Sequence, residues 1–170
     1  VRIVDAGARK KLDIAVDTAV PDFRTMETGE LWPSLERKLL REVERRRSSI
    51  IFANTRGAVE RLSRELNEMD GERLVEPHHG SISATRRRET EERLKRGELR
   101  AVVATASLAL GIDMGAVELV CQVGSPKSAS AGLQRVGRAG HLAGAESVGR
   151  IFATSPADLL ESAILAAGML

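Results

Sequence analysis

The stretch SIIFANTRGAVERLSRELNEMDG, Ser49 to Gly71, decides the fold class. Its first five residues, Ser49–Ala53, are a short apolar run bounded by polar residues, as in a buried strand. Asn54-Thr55-Arg56 breaks that run. From Gly57 to Met69 the apolar residues Val59, Leu62, Leu66 and Met69 recur at helical spacing, and Asp70-Gly71 closes the segment. An all-apolar strand must be covered on both faces, and an amphipathic helix following it is one half of that cover.

The same alternation runs outward from this unit. Toward the C-terminus come a short strand at Arg73–Glu76, a charged helix at Thr85–Lys95 ending at Gly97, and a buried strand at Arg100–Ala104. A short helix around Ser107–Leu110, a strand at Glu118–Val123, a helix at Ser128–Arg138, a strand at Ser147–Ala153 and a helix at Pro156–Ala167 follow. Toward the N-terminus, Leu39, Leu40 and Val43 continue a helical pattern from Leu35, with its start at Trp32-Pro33-Ser34 and its end at an arginine run. Trp32 reads as a core or interdomain anchor. Asp22–Glu30 is loop-like, and Lys11–Val20 alternates as a strand closed by Pro21. The expectation is one α/β domain over residues 31–170, a mainly parallel sheet with helices on both faces, with a linker and first strand in residues 1–30.

Composition narrows the function classes. At 170 residues, with 42% hydrophobic and 29% charged content, the chain can bury a core of its own. Only 2% of residues are aromatic and Tyr is absent, so the core is aliphatic and a reader that stacks bases on aromatic platforms is not expected. Any contact with nucleic acid is therefore expected at the phosphates. A net charge of +2 is a weak hint by itself, and the clusters Arg45-Arg46-Arg47 and Arg86-Arg87-Arg88 read as solvated helix faces. The single Cys121 excludes an internal disulfide and a thiolate metal cluster, which fits a reducing cytosol. No apolar run reaches spanning length and no signal pattern opens the chain. It begins without Met, as an excised piece of a longer protein would.

In open α/β sheets, ligands gather at the carboxyl ends of the strands. Those ends are small and polar here: Asn54-Thr55-Arg56, His78-His79-Gly80-Ser81, Thr105-Ala106-Ser107 and Gly124-Ser125-Pro126-Lys127. Hydroxyls and backbone N–H groups at helix N-termini suit successive phosphates of a strand, and they equally suit ordinary helix capping. Adjacent His78 and His79 point to opposite sides of an extended segment, and no metal site is expected. Asp113, in GIDMG, suits either a ribose hydroxyl or a turn cap.

Gln134 to His141, QRVGRAGH, combines two arginines with two glycines. On a helix Arg135 and Arg138 share a face, and Gly137 and Gly140 interrupt the helix where a charged ligand needs close backbone approach. Guanidinium forks reaching a polyphosphate are one reading, and a Gly-weakened surface helix is the other. The chain has no G-x-x-x-x-G-K-[ST] loop and no acidic D-E-x-x strand end for Mg²⁺, so P-loop hydrolysis by this chain alone is excluded. Arginines without a phosphate cradle suggest fingers donated to a nucleotide held elsewhere.

In order and spacing, IIFANTR (Ile50–Arg56), HHGS (His78–Ser81), ATASLALGIDMG (Ala104–Gly115) and QRVGRAGH resemble motifs IV, IVa, V and VI of superfamily-two helicases. These motifs belong to the second RecA-like, or helicase C-terminal, domain of such enzymes. The opening VDAGARKKLDIAV and the block GSPKSASAGLQRVGRAGH are most similar to the large helicase-related protein family, bacterial and archaeal ATP-dependent 3′-to-5′ DNA translocases linked to DNA repair.

The resemblance implies a RecA-like three-layer fold and a set of roles. Gln134, Arg135 and Arg138 would face ATP bound by the first RecA-like domain of the same polypeptide, which would also hold the Mg²⁺, with Arg138 as the finger on the γ-phosphate. Asp113 would contact the ribose, and Gly111 would permit the tight backbone beside it. Thr55, Arg56, Gly80, Ser81 and Thr105 would hold phosphates of single-stranded DNA or of a 3′-tailed duplex. His141 stands where many relatives carry a further motif VI arginine, leaving Arg135 and Arg138 to act. The resemblance places the protein in the prokaryotic cytoplasm with the nucleoid, without a membrane, and implies no ATP hydrolysis by this chain alone. Two other readings stand beside it: an RNA helicase of the related DExH branch, and a non-catalytic nucleic-acid-binding domain.

Overall fold

The computed structural model describes residues 11–27, 29–71, 74–109, 117–140 and 146–170. Six strands form one sheet: β1 (Leu12–Thr18), β2 (Ser49–Ala53), β3 (Val75–His78), β4 (Ala101–Ala104), β5 (Leu119–Val123) and β6 (Ser147–Ala153), in the order β1-β6-β5-β2-β4-β3. Every pairing is parallel. The helices are α1 (Leu31–Glu44), α2 (Arg56–Asp70), α3 (Ala84–Lys95), α4 (Ala129–Val136) and α5 (Pro156–Ala167), with a short 3₁₀ turn at Ala106–Ala109. The fold is the RecA-like three-layer α/β architecture.

Strand alternation sends successive residues to opposite faces, and each face has its own cover. On one side Ile51, Val103 and Cys121 meet Leu35, Leu39 and Val43 of α1 and Val59, Leu62 and Leu66 of α2. On the other, Ile50, Phe52, Val102 and Val120 meet Leu94 of α3 and Val136 at the end of α4. α5 and Met169 just beyond it close the β1–β6 end, where Ile151, Ala166 and Met169 pack with Ile14 and Val16. Cys121 is wholly buried and its thiol is pushed far up by that burial, so it is an inert core residue.

Several expected boundaries move, and four of them bear on how the chain packs. β1 stops at Thr18, and Ala19 and Val20 turn into the core. α1 begins at Leu31, earlier than the apolar spacing indicated. β3 is Val75–His78, two residues later than Arg73–Glu76, and so contains Pro77. Pro is tolerated there because β3 is an edge strand paired only with β4. The Asn67 side chain covers part of that edge, donating to the Val75 carbonyl at 2.8 Å and accepting the Val75 N–H at 3.0 Å.

α4 ends at Val136, not Arg138. Arg138 and Ala139 bond back to the carbonyls of Arg135 and Val136, three residues earlier, which tightens the last turn. The chain then leaves the helix to pair with the sheet: Ala139 bridges Val117, the Gly140 N–H reaches the Val117 carbonyl at 2.8 Å, and Ser147 Oγ donates to the Ala139 carbonyl at 2.8 Å. Gly140 takes the left-handed φ of 66° that this exit requires.

Candidate functional site

Because all strands run the same way, their carboxyl ends share one edge of the sheet. Thr55 caps α2, its hydroxyl accepting the Ala58 N–H at 3.2 Å, and remains exposed. Arg56 donates to Ser81 Oγ at 2.8 Å, joining the ends of β2 and β3 across β4. Gly80 is exposed, with open space where a side chain would be. Thr105, half-buried after β4, bonds its N–H to the His78 carbonyl at 3.3 Å. The structure thus gathers Thr55, Arg56, Gly80, Ser81 and Thr105 at one edge.

The two histidines diverge as expected. His78 pairs through Nε2 with Glu91 of α3 at 2.9 Å, while His79 pairs with Glu60 of α2 at 2.6 Å. His79 Nδ1 accepts the Ser81 N–H at 3.3 Å, so Nε2 carries the proton donated to Glu60. His79 therefore ties the Gly80–Ser81 turn to α2. Among the described residues no group of three His, Cys, Asp or Glu is placed to hold a metal.

Arg135 and Arg138 occupy different environments, correcting the expectation of one shared helix face. Arg135 is 7% exposed. Its guanidinium lies 5.5 Å from the centroid of the Phe52 ring and donates through Nη1 to Gln122 Oε1. Among the described residues it meets no carboxylate. Burial lowers the Arg135 pKa from its ordinary value, yet a guanidinium stays charged at neutral pH. Arg138 sits in the turn after α4, half-buried, with no side-chain hydrogen bond or ion pair among the described residues. Gln134 is exposed. Asp113, Gly111 and His141 lie outside the described residues.

The positioning roles of several residues at this edge escaped the sequence reading. Asn54 Nδ2 donates to the Ser125 carbonyl at 3.0 Å, linking the ends of β2 and β5. Asp158 in the first turn of α5 accepts the Ser125 N–H at 2.6 Å and the Thr154 N–H at 2.9 Å, fixing the ends of β5 and β6. Lys127 has a left-handed φ of 72° and pairs with Glu161 at 2.8 Å. Gly149 on β6 sets the height of α4, since a Cβ there would lie 2.6 Å from Val136 Cγ2. Asn54 and Lys127 were visible as polar residues just after buried strands, whereas Asp158 within α5 and Gly149 within β6 carried no such signal.

With this geometry in hand, comparison with known proteins is informative. Residues 33–143, well over half of the chain, match the model of the helicase conserved C-terminal domain. The "Lhr helicase/ probable uracil glycosylase" of Mycolicibacterium smegmatis is 41% identical over 95% of this chain, which spans 13% of that relative's length. The structure of Mycobacterium smegmatis helicase Lhr bound to ssDNA and AMP-PNP superposes with a TM-score of 0.89 at 46% identity, over 95% of this chain and 22% of that one. The C-terminal domain of the DEAD-box protein Dbp5 shares the fold, with a TM-score of 0.68 at 20% identity over 94% of this chain and 84% of that domain. Among the described residues no helix is long and apolar enough to cross a membrane. The match to the large helicase-related proteins stands, and this chain belongs to the helicase conserved C-terminal domain family.

Proposed function

We propose that this chain, residues 31–170 with the preceding linker, is the second motor domain of an ATP-dependent 3′-to-5′ DNA helicase or translocase. One observation carries the reading: among the described residues Arg135 is a buried cation with no carboxylate partner, and Arg138, in the turn that follows, has no side-chain partner either. A buried charge without a counter-ion is costly, so an anion brought to this site from outside is strongly favoured. The triphosphate of ATP, held with Mg²⁺ by the first RecA-like domain of the same polypeptide, is that anion. AMP-PNP in the Mycobacterium smegmatis helicase supports the same assignment.

In this mechanism closure of the two domains brings Arg138 onto the γ-phosphate, where its charge stabilises the transition state. Arg135 and Gln134 fix the phosphates beside it, and Asp113, with Gly111 at its side, holds the ribose. Thr55, Arg56, Gly80, Ser81 and Thr105 grip successive phosphates of single-stranded DNA, so each closure shifts the grip along the strand. Phosphate contacts carry no sequence information, and the motor is therefore sequence-tolerant.

The test is ATP hydrolysis by the full-length protein, intact and as Arg138→Ala, without nucleic acid, with single-stranded DNA and with single-stranded RNA. Strong stimulation by DNA, lost by about a thousandfold or more in Arg138→Ala, is expected. Stimulation by RNA alone would move the substrate to the DExH branch. Normal turnover by Arg138→Ala would remove the finger.

A further inference from the structure

We propose that Gln122 is a positioning residue: it holds the Arg135 guanidinium over Phe52 and, with Asn54, ties that arginine to the loop carrying Thr55 and Arg56. The inference rests on the motor reading above and adds a physical link between its two halves.

Gln122 is the one polar residue of β5, LVCQV, and is 3% exposed. An aliphatic residue would serve a core strand as well, since buried polar groups add stability only when fully bonded. Both ends of the Gln122 amide are in fact bonded. Oε1 accepts from Arg135, while Nε2 donates to the Val123 carbonyl at 2.9 Å and lies 3.5 Å from Asn54 Oδ1. Gln122 is also the register partner of Phe52 on the neighbouring strand, so Arg135 lies across an adjacent pair on one sheet face.

Asn54 completes the link. Its amide donates to the Ser125 carbonyl at 3.0 Å, and the next two residues are Thr55, which caps α2, and Arg56, which bonds Ser81. The carboxamide of Gln122 is a rigid plane with acceptor and donors at fixed angles. A displacement of the loop that pulls on Asn54 tilts this plane and moves the acceptor offered to Arg135. The strand-gripping edge and the ATP-facing arginine thereby share two side chains. Asp158 anchors the far side by holding the Ser125 N–H at 2.6 Å, so the strain of such a displacement falls on Asn54 and Gln122.

The experiment uses the full-length enzyme as Gln122→Leu, Asn54→Ala, the double variant, and Arg135→Ala as reference. The readouts are the ratio of ATP turnover with single-stranded DNA to turnover without it, the DNA concentration for half-maximal stimulation, and the thermal midpoint. Gln122→Leu is expected to reduce the stimulation ratio about tenfold, with half-maximal DNA changed by less than about twofold. Asn54→Ala should reduce the ratio in the same way, and the double variant should be no worse than Gln122→Leu, because both break one link. A purely structural role would lower turnover with and without DNA alike and leave the ratio unmoved, which overturns the proposal. Independent, multiplying effects at 54 and 122 overturn it too. If Leu at 122 prevents folding, Gln122→Met and Asn54→Ala carry the test through the same ratio. Arg135→Ala turning over as the intact enzyme does would sink the motor reading and this link with it. An inactive Arg135→Ala beside a fully stimulated Gln122→Leu would sink the link alone.

Discussion

Glu36 on α1 is 3% exposed, and burial pushes its carboxyl above the ordinary glutamate value. Arg61 of α2 opposes that shift from 3.4 Å, while its own guanidinium stacks 4.7 Å from the centroid of the Trp32 ring. The sequence marked Trp32 as an anchor but gave no sign that an arginine and a buried acid would share its place. A carboxyl whose folded pKa is raised contributes stability that is complete below its unfolded pKa and is lost as pH rises through the folded one. Glu36→Gln removes that titration while keeping the shape. The variant should therefore gain stability relative to the original chain between about pH 4 and about pH 8. Urea unfolding followed by Trp32 fluorescence at both ends of that range checks it, and an unchanged difference between the two pH values would contradict it.

Elements were legible where burial was complete or where a local start signal stood in the sequence. β2 starts and stops where its apolar run indicates, because a strand covered on both faces has little polar character to blur its ends, while the Ser-Pro start of α5 is a local signal that needs no burial. β3 slid by two residues because an edge strand is held from one side and admits proline. The end of α4 was misplaced because its stop signal lies in the Val117–Ala139 bridge, a pairing across sequence that local spacing cannot display. The arginines of the candidate site were visible by residue type, whereas Gln122 became visible only through the register that sets it beside Phe52. Gly149 belongs with it: a glycine within a strand does not announce which helix it admits. In Gly149→Ala the new Cβ would meet Val136 Cγ2 at 2.6 Å and Cγ1 at 3.0 Å, forcing α4 off the sheet. The expected cost is about 1–3 kcal/mol in denaturant unfolding, with a loss of ATP turnover because Arg135 precedes Val136. Adding Val136→Ala should restore part of both. If the second change only deepens the loss, the contact with α4 is not the cause.

At the scale of the whole molecule, the proposed function would leave each ligand only part of its site on this chain, and the proposed phosphate contacts have an unusual balance. Of the five residues assigned to phosphates, Thr55, Gly80, Ser81 and Thr105 are neutral and Arg56 alone is charged. Neutral donors hold a phosphate without displacing a counter-ion, whereas each cation contributes about 0.7 to the slope of log affinity against log salt for a single strand. The proposed grip would thus be mostly geometric, and it would rely on the hydrogen-bonded edge that holds Ser81 against Arg56 and the Gly80–Ser81 turn against His79. For the full-length protein binding single-stranded DNA, Arg56→Ala should lower affinity and flatten that slope by about 0.7. Ser81→Ala should lower affinity as well, yet leave the slope where it was, because it removes a hydroxyl and no charge. Fluorescence anisotropy over a salt series separates the two. Equal slopes in both variants would mean that Arg56 is spent on Ser81 alone, and that the phosphates are held by cations elsewhere in the polypeptide.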